Sequence, residues 1–100
     1  MSDESCRADV WLWRARFFKT RSMAARYVDE GRIRFRRGAA EGRLDKASRA
    51  LKRGDELVFA LGLRVVAVRL EAFGDRRGPA SEARALYEAL DAHTAEAVDD

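Results

Sequence analysis

Residues 11–27 have the sequence WLWRARFFKTRSMAARY, in which five aromatic rings are interspersed with five basic side chains. At 100° per residue, positions three and four apart share one face of a helix. The apolar face so defined consists of Ala8, Trp11, Leu12, Ala15 and Phe18. It predicts a first helix over about residues 9–18 that packs on a core. A second, narrower apolar stripe lies almost opposite and consists of Val10, Trp13 and Phe17. It must either be covered by another segment or serve as a contact surface.

A second helix is predicted after the polar turn formed by residues 19–22. Thr20 or Ser22 is suited to cap its N-terminus, because a hydroxyl oxygen can accept a hydrogen bond from a free backbone N–H. Gly31 is suited to follow its C-terminus, since glycine readily adopts the left-handed conformation found there. The expected buried face of this helix consists of Met23, Ala24, Tyr27 and Val28.

Beyond Gly31 the apolar pattern takes the period of a β-strand. Residues 32–36 (RIRFR) alternate strictly, which places Ile33 and Phe35 on one face and three arginines on the other. Residues 56–61 and 63–70 are rich in strand-forming side chains and flank Gly62, so they predict a hairpin. Residues 36–55 contain sparse apolar anchors and three glycines interpreted as turns. The anchors are Leu44, Ala47 and Leu51, and the glycines are Gly38, Gly42 and Gly54.

The last part of the chain predicts a charged loop over residues 74–78 (GDRRG), followed after Pro79 by a helix with Ser81 as candidate N-cap. The apolar stripe of this helix would consist of Ala83, Leu86, Tyr87 and Leu90. We expect it to cover Trp13 and Phe17; the alternative is that these two rings stack on nucleic-acid bases. The predicted fold class is α+β, with two N-terminal helices packed on a small antiparallel sheet, plus a C-terminal helix.

Basic and acidic residues are segregated along the chain. The net charge is +3, but residues 7–77 contain 19 Lys and Arg against nine Asp and Glu, whereas residues 78–100 contain one Arg against six acids. Seventeen of the 20 basic residues are arginine, which binds phosphate in bidentate fashion. A GC-rich genome would explain the preference for arginine but would not segregate the charges. A basic body with an acidic tail indicates a polyanionic partner.

Several classes of function lack the residues they require. One His and one Cys cannot build a zinc site, a Cys/His nucleophile pair or a disulfide. The carboxylate pairs at 29–30 and 55–56 are better explained by a helix end and a turn, and His93 is not expected to act. We therefore expect no enzyme, no metal and no cofactor. No apolar run approaches the roughly 20 residues of a membrane span. We expect a cytoplasmic monomer without membrane contact.

The remaining chemistry lies in a group of cations at the two helices and the first strand, namely Arg7, Arg14, Lys19, Arg21, Arg26, Arg32, Arg34 and Arg36. Cations at this density repel one another unless a polyanion neutralises them. The alternative is a solvated face with local ion pairs to Asp29 and Glu30, but two acids cannot neutralise eight cations. A different class of function is a protein-interaction module that uses the C-terminal helix and the Trp13 stripe.

The order of these motifs resembles the αL RNA-binding domain found in a ribosomal small-subunit protein. The matching positions are Arg7, Asp9, Leu12, Lys19, Thr20, Arg21, Ala25, Arg26, Gly31, Ile33, Lys46, Ser48, Gly54 and Asp55. WLWRARFFKTR and RRGPASEARALYE are similar to the heat-shock protein 15 family, which adds a C-terminal extension to this domain. The departures are Ala8, where leucine is usual, Ala47, where proline is common, and residues 36–38 (RRG), where Asn-Gly is customary and from which the connection to Lys46 is longer than usual.

The resemblance implies an αL domain over residues 7–73, followed by a charged loop, a C-terminal helix and an acidic tail over residues 74–100. It implies binding to rRNA of free large ribosomal subunits that carry stalled nascent chains, with contact to nascent-chain tRNA and to DNA as further options. A general RNA or DNA binder that acts away from the ribosome is the alternative. The expected RNA-binding residues are Arg7, Arg14, Lys19, Thr20, Arg21, Arg26, Arg32, Arg34, Lys46 and Ser48.

Overall fold

The structure is a computed structural model that describes residues 4–91, and His93 with the rest of the predicted acidic tail lies outside them. The predicted α+β class is confirmed. In chain order the elements are β1 (Cys6–Arg7), α1 (Ala8–Arg14), α2 (Arg21–Asp29), β2 (Ile33–Arg37), β3 (Ala40–Leu44), β4 (Ala50–Leu51), β5 (Glu56–Leu61), β6 (Arg64–Leu70), α3 (Ala80–Ala83), a 3₁₀ turn (Arg84–Leu86) and β7 (Tyr87–Ala89). Across this range, no helix has the length and apolar character needed to cross a bilayer.

Within residues 4–91, five strands form an antiparallel sheet in the order β3-β2-β5-β6-β7, and β1 pairs separately with β4. The predicted alternation of β2 and the predicted β5–β6 hairpin are confirmed. Gly62 in that hairpin turn has a φ of 61°, which a side-chain-bearing residue adopts only at a cost. The inner face of the sheet is buried and consists of Ile33, Phe35, Leu57, Phe59, Val66, Val68 and Leu70.

Helix α1 is shorter than predicted, because it ends at Arg14 and not near residue 18. Ala15 closes the helix, and Arg16 has a φ of 67°, in the left-handed region. This change of direction brings both Phe17 and Phe18 into the core, where they are 5% and 7% exposed. The predicted apolar face of α1 is buried as expected. The prediction that Phe17 belongs to a second apolar stripe, opposite this face, was wrong. Phe17 is buried in the same core as the predicted apolar face of α1.

Helix α2 has the predicted caps. Thr20 is the N-cap, and its hydroxyl oxygen accepts a hydrogen bond from the Met23 N–H at 3.0 Å. Asp29 is the last helical residue, and Gly31 follows with a φ of 69°. This left-handed residue turns the chain from α2 into β2.

The buried face of α2 is narrower than predicted. Ala24 and Val28 are fully buried, and Tyr27 is half-buried with its hydroxyl donating to the Ala60 carbonyl. Met23 was expected on this face, but it is 51% exposed, so that prediction was wrong. Ala24 and Val28, four residues apart, share the face of α2 that packs on the sheet. Met23 lies at the edge of that face and is therefore exposed to solvent.

The predicted C-terminal helix is present but ends early. It begins after Pro79, which takes the N-cap position expected for Ser81, and no side chain caps it. After the 3₁₀ turn the chain becomes β7, so the helical stripe predicted to include Tyr87 and Leu90 is wrong beyond Leu86. Pairing with β6 satisfies backbone groups on that edge of the sheet, which a helix would leave without partners.

The expected cover over Phe17 comes from this strand instead of a helix. The rings of Tyr87 and Phe17 lie 5.0 Å apart between centroids, and Phe59 lies 5.6 Å from Phe17 on the other side. Trp13 is half-buried, and its backbone carbonyl accepts a hydrogen bond from Arg77 at 3.1 Å. The C-terminal segment therefore closes the aromatic core, as predicted for Phe17.

Strand β3 was not predicted, because Gly42 was interpreted as a turn. Gly38, with a φ of 59°, lies in the turn of the β2–β3 hairpin, whereas Gly42 lies opposite Phe35 inside the ladder. The expected anchors Leu44 and Leu51 are fully buried, and Ala47 is 9% exposed. A glycine within a strand weakens the alternating pattern by which strands are recognised.

A buried ion pair joins β2 to the start of β5. The carboxylate of Asp55 is 1% exposed and accepts hydrogen bonds from Nε and Nη2 of Arg37, each at 2.8 Å. The backbone N–H of Lys52 donates to the same carboxylate at 2.8 Å, and Arg37 also donates to the Ala50 carbonyl. These contacts position residues 50–55 beneath the sheet edge.

Replacing Arg37 with methionine should destabilise the fold by about 2–3 kcal/mol. Removing one partner of a buried pair costs roughly 3–5 kcal/mol, and solvent around the half-exposed Arg37 lowers that figure. Urea unfolding would measure the change against a matched Arg36→Met variant, whose partner Glu56 also pairs with Arg69. Equal stability of Arg37→Met and the unaltered chain would show that Asp55 does not depend on this pair.

Replacing Tyr87 with phenylalanine should leave stability at pH 8 unchanged or slightly raised. Its hydroxyl is buried without a hydrogen-bond partner in the described part of the chain, and burial raises its pKa above 10. The folded state therefore retains the proton after the unfolded state releases it, so stability should fall as pH rises above about 10. Thermal unfolding at pH 8 and pH 10.5 should show a smaller loss for Tyr87→Phe; an identical loss would contradict this assignment.

Candidate nucleic-acid interface

A buried carboxylate at the start of α1 connects two arginines. Asp9 is 4% exposed, and its two oxygens accept hydrogen bonds from Arg7, each at 3.1 Å. Nη2 of Arg21, in the first turn of α2, lies 3.8 Å from the same carboxylate. The hydrogen bond to Asp9 and its charge raise the pKa of Arg7. Both arginine side chains stay about half exposed, so Asp9 orients them without burying them.

The loop after β3 is attached to both helices through the peptide groups of Ala47. The Asp9 N–H donates to the Ala47 carbonyl at 3.1 Å, and the Ala47 N–H donates to Oδ1 of Asp29 at 3.1 Å. The Ala8 N–H donates to the Arg49 carbonyl at 2.9 Å. Proline at position 47 would have no N–H for Asp29, so alanine permits this attachment.

Lys46 and Ser48 flank Ala47 in the chain, and both are exposed. Because Ala47 is hydrogen-bonded to both helices, these two residues lie beside the helices. On α2, Arg26 is exposed three residues before Asp29, whose carboxylate holds the loop. Lys19 is exposed next to the N-cap. We call this surface the helical platform; it consists of Arg7, Lys19, Thr20, Arg21, Arg26, Lys46 and Ser48.

Three cations of the helical platform lack a compensating contact in the described part of the chain. Among residues 4–91, no side chain or carbonyl accepts a hydrogen bond from the side chain of Lys19, Arg26 or Lys46, and none forms an ion pair with them. The expected compensation by Asp29 does not occur, since its Oδ1 accepts from a backbone N–H. Glu30 pairs at 3.3 Å with Arg32, which lies outside the platform. The platform therefore presents uncompensated positive charge to solvent.

Arg14 was expected in the same group, but the structure places it elsewhere. It is half-buried, and its Nη1 donates to the Gly74 carbonyl at 2.9 Å and approaches Sγ of Cys6 at 3.8 Å. Its Nε is buried without a partner in the described residues. Burial raises the pKa of the Cys6 thiol, and the nearby charge of Arg14 opposes that shift. Arg14 holds the loop that begins at Gly74.

Arg32 and Arg34 have surroundings different from those of the helical platform residues. The guanidinium of Arg32 lies 4.5 Å from the centre of the Tyr27 ring, at the end of α2. Arg34 alternates with Ile33 and Phe35, whose side chains are buried beneath the helices, so Arg34 faces the opposite side of the sheet. The eight predicted cations are thus distributed over more than one surface.

Two further arginines with exposed side chains were not predicted as candidates. Arg49 lies in the loop held by Ala47, with its guanidinium 4.5 Å from the centre of the Phe35 ring. Arg43 lies on β3, directly opposite Arg34. Residues 40–44 alternate as a strand does if Gly42 is included, and this pattern would have placed Arg43 on the same face as Glu41. The ring contact of Arg49 is not indicated by any sequence pattern.

The acidic residues of the described chain serve the fold in several places. Asp55 pairs with Arg37, and Glu56 lies between Arg36 at 3.6 Å and Arg69 at 3.2 Å. No group of three or more His, Cys, Asp and Glu residues within positions 4–91 is arranged to hold a metal ion. The helical platform offers an array of hydrogen-bond donors, most of which carry positive charge.

Comparisons with known proteins identify relatives that share this fold. Heat shock protein 15 of Escherichia coli K12 is 36% identical over 93 residues, and the homologue from Haemophilus influenzae is 33% identical over 88 residues. These matches cover 93% and 88% of the chain, which spans 63% of the length of each of these curated relatives. No family model matches the sequence.

The solved trimeric structure of heat shock protein 15 from Vibrio cholerae superimposes with a TM-score of 0.76 and 33% sequence identity. The alignment covers 87% of this chain and 83% of that one. The chain belongs to the heat shock protein 15 family.

Proposed function

We propose that the chain is a non-catalytic RNA-binding protein that binds rRNA on free large ribosomal subunits carrying stalled nascent chains and assists their rescue. The observation that supports this proposal is the helical platform, where Lys19, Arg26 and Lys46 are exposed without a compensating group in the part of the chain that the structure describes. In this proposal residues 7–73 act as an αL RNA-binding domain, and residues 74–100 are its extension.

Phosphate contacts are the expected basis of binding. Asp9 holds Arg7 and Arg21 half exposed, so their free N–H groups can donate to phosphate oxygens without a large loss of side-chain entropy. The hydroxyls of Thr20 and Ser48 could also donate to phosphate, and they differ in whether they already make a hydrogen bond within the fold. The Thr20 oxygen accepts a hydrogen bond from the Met23 N–H and has its own hydrogen free to donate, whereas the Ser48 hydroxyl makes no hydrogen bond among residues 4–91.

This arrangement favours recognition of RNA by shape. Cations placed on two helices and one loop are spaced to follow a backbone, and double-stranded RNA is bound mainly through its phosphates and 2′-hydroxyls. No aromatic ring belongs to the helical platform, so base stacking is not expected to contribute there. The same cations would bind a DNA backbone more weakly, because they would lose the contacts to 2′-hydroxyls.

The direct test is sedimentation of the chain with ribosomes in a sucrose gradient at low salt. We expect the chain to migrate with free large subunits, and to do so more strongly when stalled nascent chains accumulate on them. Recovery only at the top of the gradient would contradict ribosome binding. Equal migration with whole ribosomes and with both isolated subunits would indicate a general RNA binder.

In the same gradients and in filter binding to rRNA, the double variant Arg21→Gln/Arg26→Gln should bind less tightly. The slope of log affinity against log salt should become shallower by about 1.4–1.8, since each phosphate contact contributes about 0.7–0.9. Both side chains are exposed and Asp9 retains Arg7, so the melting temperature should stay nearly unchanged.

The matched control is Arg76→Gln/Arg84→Gln, which removes the same charge from exposed positions of the C-terminal segment. This control should leave the salt slope nearly unchanged. An equal loss in both double variants would mean that net charge alone, and not the helical platform, determines binding.

A further inference from the structure

The outer face of the sheet, away from the helices, has one row in which charges alternate across five strands. Strand register aligns Glu41, Arg36, Glu56, Arg69 and Glu88 in this row. Arg36 lies 3.6 Å from Glu56, and Arg69 pairs with both Glu56 and Glu88. Cross-strand neighbours of opposite charge stabilise a sheet. From Arg36 to Glu88 the charges of this row are therefore paired within the protein, and Glu41 lies opposite Arg36 in register.

The adjacent row on the same face has no such compensation. Register places Arg43, Arg34 and Val58 side by side on β3, β2 and β5. Like charges directly opposite each other on neighbouring strands are destabilising. Nη1 of Arg43 donates to the Gly31 carbonyl at 2.8 Å, but no acceptor for the side chain of Arg34 exists among residues 4–91.

A shallow depression of about 550 Å³ lies over these two arginines. Its lining includes Arg34, Arg36, Arg43, Glu41, Glu56 and Val58. Both glutamates belong to the paired row, where they face Arg36. Val58 is 36% exposed and provides an apolar floor beside Arg34. The depression thus combines two arginines that lie opposite each other on adjacent strands with carboxylates of the neighbouring row and a small apolar surface.

We propose that Arg34 and Arg43 form a second phosphate-binding site, which holds a segment of RNA other than the one bound by the helical platform. An arginine pair of this kind matches the oxygens of one phosphodiester, and its mutual repulsion is relieved when the phosphate binds. Val58 offers contact to the neighbouring ribose. Among residues 4–91, β3 is an edge strand, so no described strand obstructs an extended RNA segment that passes over the depression.

This inference rests on the proposed function and adds a bridging role to it. The helical platform and the Arg34–Arg43 site face opposite sides of the sheet, because Arg34 alternates with residues buried under the helices. A single domain would then contact two RNA segments at once. Two linked contacts raise the apparent affinity for a folded RNA that presents both segments in the required geometry.

The test is a capture experiment with the full chain. A biotinylated rRNA hairpin is immobilised, the chain is bound to it, and capture of a second, fluorescent hairpin is measured. Arg34→Gln/Arg43→Gln should still bind the immobilised hairpin but capture at least five-fold less of the second. The control Arg76→Gln/Arg84→Gln, with equal loss of charge, should capture as much as the unaltered chain. A melting temperature near that of the unaltered chain would establish that the variant is folded.

The outcomes separate the two proposals. If the unaltered chain binds the first hairpin and Arg34→Gln/Arg43→Gln captures the second equally well, the second site is wrong while RNA binding by the platform stands. If the unaltered chain binds no hairpin at all, both proposals are wrong. If the double variant loses binding of polyglutamate while its capture of RNA is unchanged, the depression takes acidic protein segments and the inference of an RNA site is overturned.

Discussion

The attachment of Ala47 between the two helices is the constraint on which the candidate interface depends. The Ala47 carbonyl accepts a hydrogen bond from the Asp9 N–H at the start of α1, and the Ala47 N–H donates to Oδ1 of Asp29 at the end of α2, each at 3.1 Å. These two hydrogen bonds hold the segment that carries Lys46 and Ser48 against the start of α1 and the end of α2. The Arg37–Asp55 pair supports the far end of the same segment by holding residues 50–55 against the sheet. Without these contacts the segment would lose its fixed position, and the helical platform would lose Lys46 and Ser48.

The basic side chains fall into two groups, those with an acidic or carbonyl partner in the described residues and those without one. Arg37, Arg69 and Arg36 have carboxylate partners, and Arg14 has a carbonyl partner, so these side chains stabilise the fold. Lys19, Arg26, Lys46 and Arg34 have no such partner within residues 4–91. Where cations of this kind lie close together, their repulsion opposes folding. Retaining repulsive charges is costly for a protein that has only a few kcal/mol of stability in reserve. Binding of a polyanion would remove that cost, so the proposed RNA-binding role rests more on the uncompensated cations than on the total charge.

Local periodicity predicted a large part of this fold. The strict alternation of residues 32–36, the glycine at 62 and the hydroxyl of Thr20 each specify a local structure that the fold retains. Features that depend on tertiary context were not predictable in this way. The end of α1 at Arg14 requires a left-handed Arg16, which the core imposes so that Phe17 and Phe18 are both buried, and no pattern marks it. Residues 87–89 have helical spacing but form a strand, because β6 offers an edge. The role of Asp9 as a shared partner of two arginines likewise emerges only from the packing of α1 against α2.

The central claim, that the helical platform is the main RNA-binding surface, is tested most directly by NMR titration. A ¹⁵N-labelled chain would be titrated with a short hairpin of large-subunit rRNA, following backbone amides and arginine Nε–H signals. We predict saturable shifts concentrated at residues 19–26 and 46–49, with little change at residues 74–86. Shifts concentrated around Trp13 and residues 74–86, with the helical platform unaffected, would contradict the account and assign binding to the C-terminal face.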